Sequence, residues 1–273
     1  MNADLDDFER LAAALEPWLP DLVIVGGWAH RLHHEHPRAL APSYMPVRTR
    51  DVDMAFGARS RLAGTIDRAL AEAGFREELS SDETPPVARY HLGADDQGFY
   101  AEFLTPLVGD GIKRDGSVDA TASRAGITAQ KLRHLEVLLV APWRMSVGGG
   151  ESRRLPVPLE VRVANPVSFV VQKLLIHGDR VPAKRAQDLL YIHDTIQLFG
   201  DSLGELNEVW RETVRGELTS NQRNRVHEMR SRLFLSVTDS IREAALIPMD
   251  RNLRAEDVRS VCEHGLTAIL VDQ

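Results

Sequence analysis

Hydrophobic residues recur at two different spacings in the first part of the chain. Residues 4–17 carry them every three to four positions, which predicts an amphipathic helix. The run LVIV at 22–25 is short, apolar and β-branched and ends at a Gly-Gly pair, which predicts a buried strand followed by a tight turn. The next segment, WAHRLHHEH, predicts a helix that ends before Pro37, and the proline-containing stretch 37–47 predicts a loop. Further predictions are a strand over the DVD sequence, a helix at 60–73, and strands at 87–93, 99–104, 135–147 and 155–163.

The pattern changes at Asn165-Pro166. Asn is a favoured N-cap residue and Pro is favoured at the first helical position, so this pair predicts the start of a helix. From there to about residue 260 nearly every segment has helical spacing. We therefore predict two domains, an α/β domain over residues 1–164 and a helical domain over residues 165–273.

Composition narrows the class of protein. With 273 residues, of which 43% are hydrophobic and 27% charged, the chain resembles ordinary globular soluble proteins. The single cysteine, Cys262, excludes an internal disulfide framework and a cysteine-built zinc site, and it fits a reducing cytosol. No apolar run has membrane-spanning length and the N-terminal residues are acidic, unlike a secretory signal, so a cytoplasmic location without membrane attachment is predicted. The net charge of −7 argues against a generic polyanion binder, so contact with nucleic acid would require local basic patches.

The segment TRDVDMAF places two acids, Asp51 and Asp53, one residue apart in an otherwise apolar strand. Residues two apart on a strand point to the same side, so the two carboxylates face one spot. Like charges held this close repel each other unless a cation lies between them, which predicts a divalent metal ion with oxygen ligands, most naturally Mg²⁺. For an isolated DxD sequence the commoner interpretation is a polar strand face in water.

Two other segments favour the metal interpretation. Gly26 and Gly27 lie between a predicted strand and a predicted helix, where glycines let a phosphate approach the backbone amides at the helix N-terminus. The segment FYAEFLTP predicts an apolar strand with one acid, Glu102. A third carboxylate from a neighbouring strand completes the ligand set that two magnesium ions need to activate a hydroxyl and neutralise a triphosphate.

In this order the segments VGGWAHRLHHEH, RTRDVDMAF and AEFLTP resemble the nucleotidyltransferase (polymerase-beta-like) superfamily, whose pattern is a Gly-Gly or Gly-Ser turn, a DxD strand and a third acid on a later strand. The resemblance implies an α/β (α+β) fold with a mixed sheet flanked by helices. It also implies that Asp51, Asp53 and Glu102 are the catalytic metal ligands. The same resemblance assigns phosphate binding to the Gly26-Gly27 turn, although the second glycine stands where many members have Ser.

The segment PVSFVVQKLLIHGDRVPAKRAQDLLYI resembles the Lys…Arg…Asp-Leu segment of the AbiEii-type nucleotidyltransferases, the toxins of bacterial toxin–antitoxin pairs. The resemblance implies that Lys173 and Arg180 contact the nucleotide and that Asp188 is a late catalytic acid, so that the helical domain would complete the nucleotide site. Lys173, His177 and Arg180 are predicted to share one helix face, with Lys173 at the edge of the apolar side. Arg48 is a further candidate for triphosphate binding.

Three groups of polar residues also have purely structural interpretations. Asp188 follows Lys184 and Arg185 by four and three residues, so an intrahelical ion pair is the alternative to a catalytic role. His30 and His34 have the i, i+4 spacing of zinc ligands, but no third ligand joins them, so a solvated helix face is favoured. A basic run at 221–233 either packs its arginine stems beside an apolar stripe or grips RNA phosphates. Its arginines are Arg223, Arg225, Arg230 and Arg232.

Together these features predict a Mg²⁺-dependent nucleotidyltransferase, in which an acceptor hydroxyl attacks the α-phosphate of a nucleoside triphosphate and pyrophosphate leaves. The AbiEii resemblance implies an RNA acceptor, a tRNA 3′ end, and a separately encoded antitoxin as partner. One alternative is transfer to an aminoglycoside-like small molecule, because an acidic protein favours cationic substrates. A second alternative is a non-catalytic nucleotide-binding or antitoxin-binding module, against which the complete set of three acids argues.

Overall fold

The computed structural model of the chain describes residues 3–80, 87–93, 98–113, 115–150 and 154–272. The chain divides into two compact units, the first made of Met1–Ala29 and Arg48–Ala164 and the second of His30–Val47 and Asn165–Gln273. The division after Ala164 falls where the hydrophobic pattern changes. The segment His30–Val47, which lies within the first domain of the sequence-based prediction, is grouped with the second unit. Among the described residues no helix is both long enough and apolar enough to cross a membrane.

The first unit is built on a mixed sheet, which has nine strands within the described residues. The strand order is β3-β4-β5-β2-β1-β9-β8, and β7 pairs with both β5 and β6. β5 runs parallel to β2 and to β7, and β1 runs parallel to β9, while the other pairs are antiparallel. The predicted mixed α/β class is therefore confirmed. The strands are β1 (Val23–Val25), β2 (Asp51–Ala55), β3 (Phe75–Ser80), β4 (Val87–Leu92), β5 (Tyr100–Pro106), β6 (Thr121–Arg124), β7 (Ile127–Leu132), β8 (Trp143–Val147) and β9 (Leu159–Val163).

Helices border this sheet. Phe8 stacks on Trp28 with ring centroids 4.4 Å apart, and Trp28 meets the edge of Phe99 at 5.9 Å, so aromatic packing joins two helices to the segment before β5. The helices are α1 (Ala3–Ala14), α2 (Gly26–His33), which begins in the first unit and ends in the second, and α3 (Ile66–Glu72), with 3₁₀ turns at Glu16–Trp18 and Leu135–Leu139.

In the first unit the structure adds three strands that were not predicted and corrects one predicted strand. Strands β3, β6 and β7 were not predicted, because FREELS and TASR are mostly polar and the alternation in ITAQKL covers only its first four residues. The strand predicted at 135–147 is wrong in its first part, because Leu135–Leu139 forms a 3₁₀ helix and β8 begins only at Trp143. A short apolar run has the same composition in a buried strand and in a buried helical turn.

The second unit is helical. Its central helix, α5, is buried around most of its circumference and packs against α4, α9 and α10. Gly265 of α10 lies so close to α5 that a Cβ atom there would be 2.3 Å from Ile196 Cγ2. The helices are α4 (Pro166–Ile176), α5 (Pro182–Leu198), α6 (Leu203–Val209), α7 (Arg215–Glu217), α8 (Ser220–Leu233), α9 (Asp239–Leu246) and α10 (Ala255–Ile269), with 3₁₀ turns at His177–Asp179 and Gly200–Ser202 and a π-helical turn at Trp210–Val214.

The predicted start of α4 is confirmed. Asn165 Oδ1 accepts a hydrogen bond from the Ser168 backbone N–H at 2.8 Å, and Pro166 occupies the first turn. The helix ends at Ile176, earlier than predicted, and a 3₁₀ turn follows it. The prediction that Lys173, His177 and Arg180 share one helix face is therefore wrong, because Arg180 lies beyond the helix in extended backbone.

His30 is fully buried within the second unit. Its ring centroid lies 5.0 Å from that of Tyr191, 6.1 Å from that of Phe169 and 5.1 Å from that of His34. Burial lowers the pKa of His30 well below its ordinary value and the pKa of His34 to about 4, so both imidazoles are uncharged at neutral pH. The prediction of a solvated helix face is wrong for His30, whose ring fills an aromatic core.

The proline-containing stretch 37–47 is held within the second unit. The Leu40 backbone N–H donates to the Leu198 carbonyl at 2.7 Å. The Arg251 guanidinium lies 3.6 Å from the centroid of the Tyr44 ring, within cation–π range. The predicted loop therefore has specific contacts with elements more than 150 positions away in the sequence.

We expect Asn165→Ala to lower the free energy of unfolding by about 1 kcal/mol, because the Ser168 amide loses its side-chain acceptor. Chemical denaturation measures this change. Thr65→Ala is the matched control, since Thr65 occupies the N-cap position of α3 without a side-chain cap bond. Equal losses in the two variants would contradict a capping role for Asn165.

Candidate active site

The pairing of two parallel strands brings the predicted acids to one face of the sheet. Asp53 of β2 lies opposite Glu102 of β5, and Asp51 lies opposite Tyr100. Because alternate residues of a strand share a face, all three carboxylates point to the same side. They are half-buried, whereas the intervening Val52 is fully buried. Across the described ranges, no group of three or more His, Cys, Asp and Glu side chains is arranged to hold a metal ion, so the metal-ligand role of the three acids stays a prediction.

Gly26 fits the turn between β1 and α2 for two reasons. Its φ of +62° lies in the left-handed region, which favours glycine. A Cβ atom on Gly26 would also lie 2.0 Å from Asp53 Oδ2, so any side chain at this position would force the Asp53 carboxylate to move. The Gly26 backbone therefore comes directly against one of the acids, at the start of helix α2. A helix N-terminus is a position at which backbone amides can bind a phosphate. Gly27 follows within the first turn of α2.

Arg89, which the sequence-based prediction missed, holds Glu102. Its Nε donates to Glu102 Oε1 at 2.8 Å, and the two residues lie opposite each other on β4 and β5. The exposed fractions of the two side chains are 28% and 15%, so the pair is only partly solvated. The sequence does show that Arg89 is a basic residue on the predicted strand 87–93. It does not show that this strand lies beside the one that carries Glu102, so the pair could not be predicted.

Tyr100 borders the same acids. Its ring stacks on His91 at 5.0 Å, and the Arg89 guanidinium lies 5.5 Å from its centroid. Burial, together with the negative charges of Asp51 and Glu102, raises the pKa of Tyr100 to about 12. The phenol therefore stays protonated at neutral pH and can act as a hydrogen-bond donor.

Arg48 and Thr49 lead into the acidic strand. The Thr49 hydroxyl donates a hydrogen bond to the Asp51 carboxylate. Arg48 forms an ion pair with Asp4 at 2.8 Å, and its side chain is 81% exposed. The structure therefore places Arg48 at the surface, bonded to α1, and its predicted contact with triphosphate stays a prediction.

Lys173, Arg180 and Asp188 come together in the second unit. Lys173 Nζ lies 2.7 Å from Asp188 Oδ1, and Arg180 Nε lies 3.2 Å from Asp188 Oδ2. The Lys173 ammonium also lies 5.2 Å from the ring centroid of Phe169 and 5.3 Å from that of Tyr191.

Two expectations about this group are corrected. Lys173 does not lie at the edge of an apolar helix face, because it is 5% exposed and lies inside the unit. Asp188 does not pair with its own helix neighbours either: Lys184 donates to Gln187, and Arg185 donates to backbone carbonyls. The ion pair links two helices instead.

The arginines of α8 are bound to other parts of the second unit. Arg230 donates to the Leu270 carbonyl at 3.1 Å, and Arg225 pairs with Asp179 at 3.1 Å. Arg223 donates to the Leu218 carbonyl, and Arg232 pairs with a Glu one turn earlier on α8. These contacts favour the structural interpretation of the basic run over a continuous RNA-binding surface.

Gly26→Ala should lower the free energy of unfolding by about 2 kcal/mol or more, because the new Cβ adds a clash with Asp53 to the cost of the left-handed backbone. Denaturation in urea measures the change. Gly109→Ala is the control, since Gly109 has a φ of +89° with no atom within 4 Å of the added Cβ. A loss no larger than in the control would show that the Asp53 carboxylate does not lie against the turn.

Lys173→Ala should destabilise the protein by about 3 kcal/mol, because it leaves the buried Asp188 carboxylate with Arg180 as its one remaining cationic partner. Lys184→Ala is the control and should change the free energy of unfolding by less than about 0.5 kcal/mol, because Lys184 is exposed. Thermal and urea unfolding of both variants measure this difference. An unchanged stability of Lys173→Ala would contradict a buried ion pair between Lys173 and Asp188.

Known protein families and solved structures include matches to this chain. A family model described as Nucleotidyltransferase matches residues 8–215, well over half of the chain. No curated protein is significantly similar to the chain in sequence. Among solved structures, an antigenic nucleotidyltransferase-like protein from Paracoccidioides brasiliensis aligns over 72% of this chain and 77% of that chain, with 15% sequence identity and a TM-score of 0.39. By the extent of the family match, the chain belongs to the nucleotidyltransferase family.

Proposed function

We propose that the chain is a Mg²⁺-dependent enzyme that transfers a nucleoside monophosphate from a nucleoside triphosphate to an acceptor hydroxyl and releases pyrophosphate. Family membership implies the triphosphate substrate. The observation that carries the proposal is the strand register: Asp53 beside Glu102, with Asp51 two residues earlier on the same face and the Gly26 turn against Asp53.

The chemistry of these residues fits a magnesium ion. Three half-buried carboxylates on one sheet face supply only oxygen ligands, which a hard divalent cation prefers. Asp51, Asp53 and Glu102 would hold the metal. Bound there, the metal would neutralise triphosphate charge and lower the pKa of the acceptor hydroxyl.

The surrounding residues have separate roles in the proposal. The first amides of α2, which follow the Gly26 turn, would donate to phosphate oxygens. Arg89 fixes the direction of the Glu102 carboxylate through its bond to Oε1. Glu102 is then the base that accepts the proton of the acceptor hydroxyl. The protonated Tyr100 phenol would donate a hydrogen bond on the same face.

For the helical unit we propose an indirect role for Lys173. Lys173 and Asp188 are both buried, whereas the Arg180 side chain is 38% exposed. Arg180 is therefore the member of this group that can present a guanidinium to a phosphate, in the bidentate geometry that Arg favours. Lys173 positions Arg180 through the Asp188 carboxylate, which both cations share.

For the acceptor we propose an RNA 3′ end, and with it the toxin role and the antitoxin partner that the AbiEii resemblance implies. One observation favours the alternative of a cationic small molecule. The α8 arginines already have partners within the protein, and the chain has a net charge of −7. The two acceptor classes are separated by the transfer assay below.

Asp53→Asn should reduce nucleotide transfer at least about 100-fold, because the several kcal/mol contributed by a catalytic metal correspond to two or more decades in rate. The assay incubates the protein with each α-³²P-labelled nucleoside triphosphate and Mg²⁺, with total RNA in one arm and an aminoglycoside in the other. Label in RNA supports the toxin hypothesis, and label in the aminoglycoside replaces it with drug modification.

Asp21→Asn is the matched control, since Asp21 is an exposed acid of the same unit outside the acidic face. The thermal stability of Asp53→Asn should be preserved, because removing one of several crowded carboxylates relieves repulsion. Transfer by wild type that survives in Asp53→Asn would refute the catalytic assignment.

A further inference from the structure

A cavity with three basic residues in its wall lies at the other end of the strands that carry the acids. It has a volume of about 250 Å³ and lies where β2 and β5 end, with Phe56 and Thr105 in its wall. Thr105 follows Glu102 by three positions on β5, so strand alternation turns its side chain to the opposite face of the sheet. The cavity is therefore separate from the acidic site.

The Thr105 hydroxyl is a buried polar group without a partner. The residue is 2% exposed, and its Oγ1 makes no hydrogen bond to any residue in the described part of the chain. Burying a hydroxyl without a hydrogen bond destabilises a fold. Thr105 is in the wall of the cavity, and because its Oγ1 is covered in the free protein, a ligand acceptor would satisfy it after the side chain turns toward the cavity.

The charged lining is predominantly basic. Lys131 Nζ contacts both carboxylate oxygens of Asp119, at 2.7 and 2.8 Å, so these two charges neutralise each other. The remaining cations are Arg59 and Arg124, neither of which forms an ion pair with a described residue. Two guanidinium groups and one hydroxyl in a single cavity are hydrogen-bond donors, and phosphate oxygens are the negatively charged acceptors that such donors bind.

We propose that this cavity binds a small ligand with a terminal phosphate, either inorganic phosphate or the phosphomonoester of a small sugar. The guanidinium groups of Arg59 and Arg124 would bind the phosphate oxygens, and the Thr105 hydroxyl would donate to one of them. The volume is below the roughly 300–1,000 Å³ that is usual for drug-sized ligands, so the cavity suits a ligand smaller than a nucleoside triphosphate. The site is thus independent of the proposed transfer reaction.

The test measures phosphate binding to the full chain in metal-free buffer, by calorimetry and by the shift in melting temperature against sodium chloride of equal ionic strength. Arg124→Gln should weaken phosphate binding about tenfold or more, because it removes a charged hydrogen-bond donor. Arg68→Gln is the matched control, since Arg68 makes an exposed ion pair with Glu72 on α3 and does not line the cavity. Its affinity should equal that of wild type.

Thr105→Val gives a second test, in which the melting temperature without ligand and the shift caused by phosphate should change differently. Valine has nearly the same shape without the unsatisfied hydroxyl, so the ligand-free variant should melt at the same or a higher temperature. Its phosphate-induced shift should nevertheless fall. A lower melting temperature without ligand would show that the hydroxyl is already bonded within the protein, and would overturn its assignment to the site.

A comparison of inorganic phosphate with ribose 5-phosphate separates the two sources of the phosphate group. Tighter binding of ribose 5-phosphate assigns the cavity to a phosphomonoester, and equal or weaker binding assigns it to free phosphate. The proposal fails if phosphate stabilises wild type no more than chloride does, or if Arg124→Gln and Arg68→Gln lose affinity equally.

Discussion

The parallel pairing of β2 with β5 is the constraint on which the first unit depends. A shift of one residue in this register would turn every side chain of one strand to the other face. Val52 and Met54 on β2 and Phe103 on β5 prevent that shift, because they are buried on the opposite side of the sheet. The same apolar residues that stabilise the sheet thus keep Asp53 beside Glu102. Hydrophobic burial on one face fixes the position of charge on the other.

Three half-buried carboxylates on one sheet face repel each other, and this repulsion destabilises the sheet unless other groups offset it. Arg89 provides part of that compensation in the free protein, through its bond to Glu102. The Gly26 turn contributes differently, since its lack of a side chain gives the Asp53 carboxylate room. Both contacts accommodate half-buried carboxylates on one face of the sheet.

Local sequence patterns predicted the parts of this structure that depend on neighbouring residues. Alternation placed Asp51 and Asp53 on one face, and the Asn165-Pro166 pair marked the start of α4. Interactions between distant residues were not predictable in this way. The partner of Asp188 is Lys173 on another helix, and the Arg89–Glu102 pair required knowledge of strand order.

The path of the chain has a consequence for how the protein can be divided. The chain leaves the first unit after Ala29, returns at Arg48 and leaves again after Ala164. No single cut therefore separates the units, because a fragment ending at Ala164 would keep residues 30–47 and lose Leu198 and Arg251, their partners. During synthesis these contacts can form only after more than a hundred further residues have been added. Contacts so distant in sequence slow folding. A fragment that contains the whole of the second unit must therefore also contain the larger segment of the first unit, which lies between the second unit's two segments in the sequence.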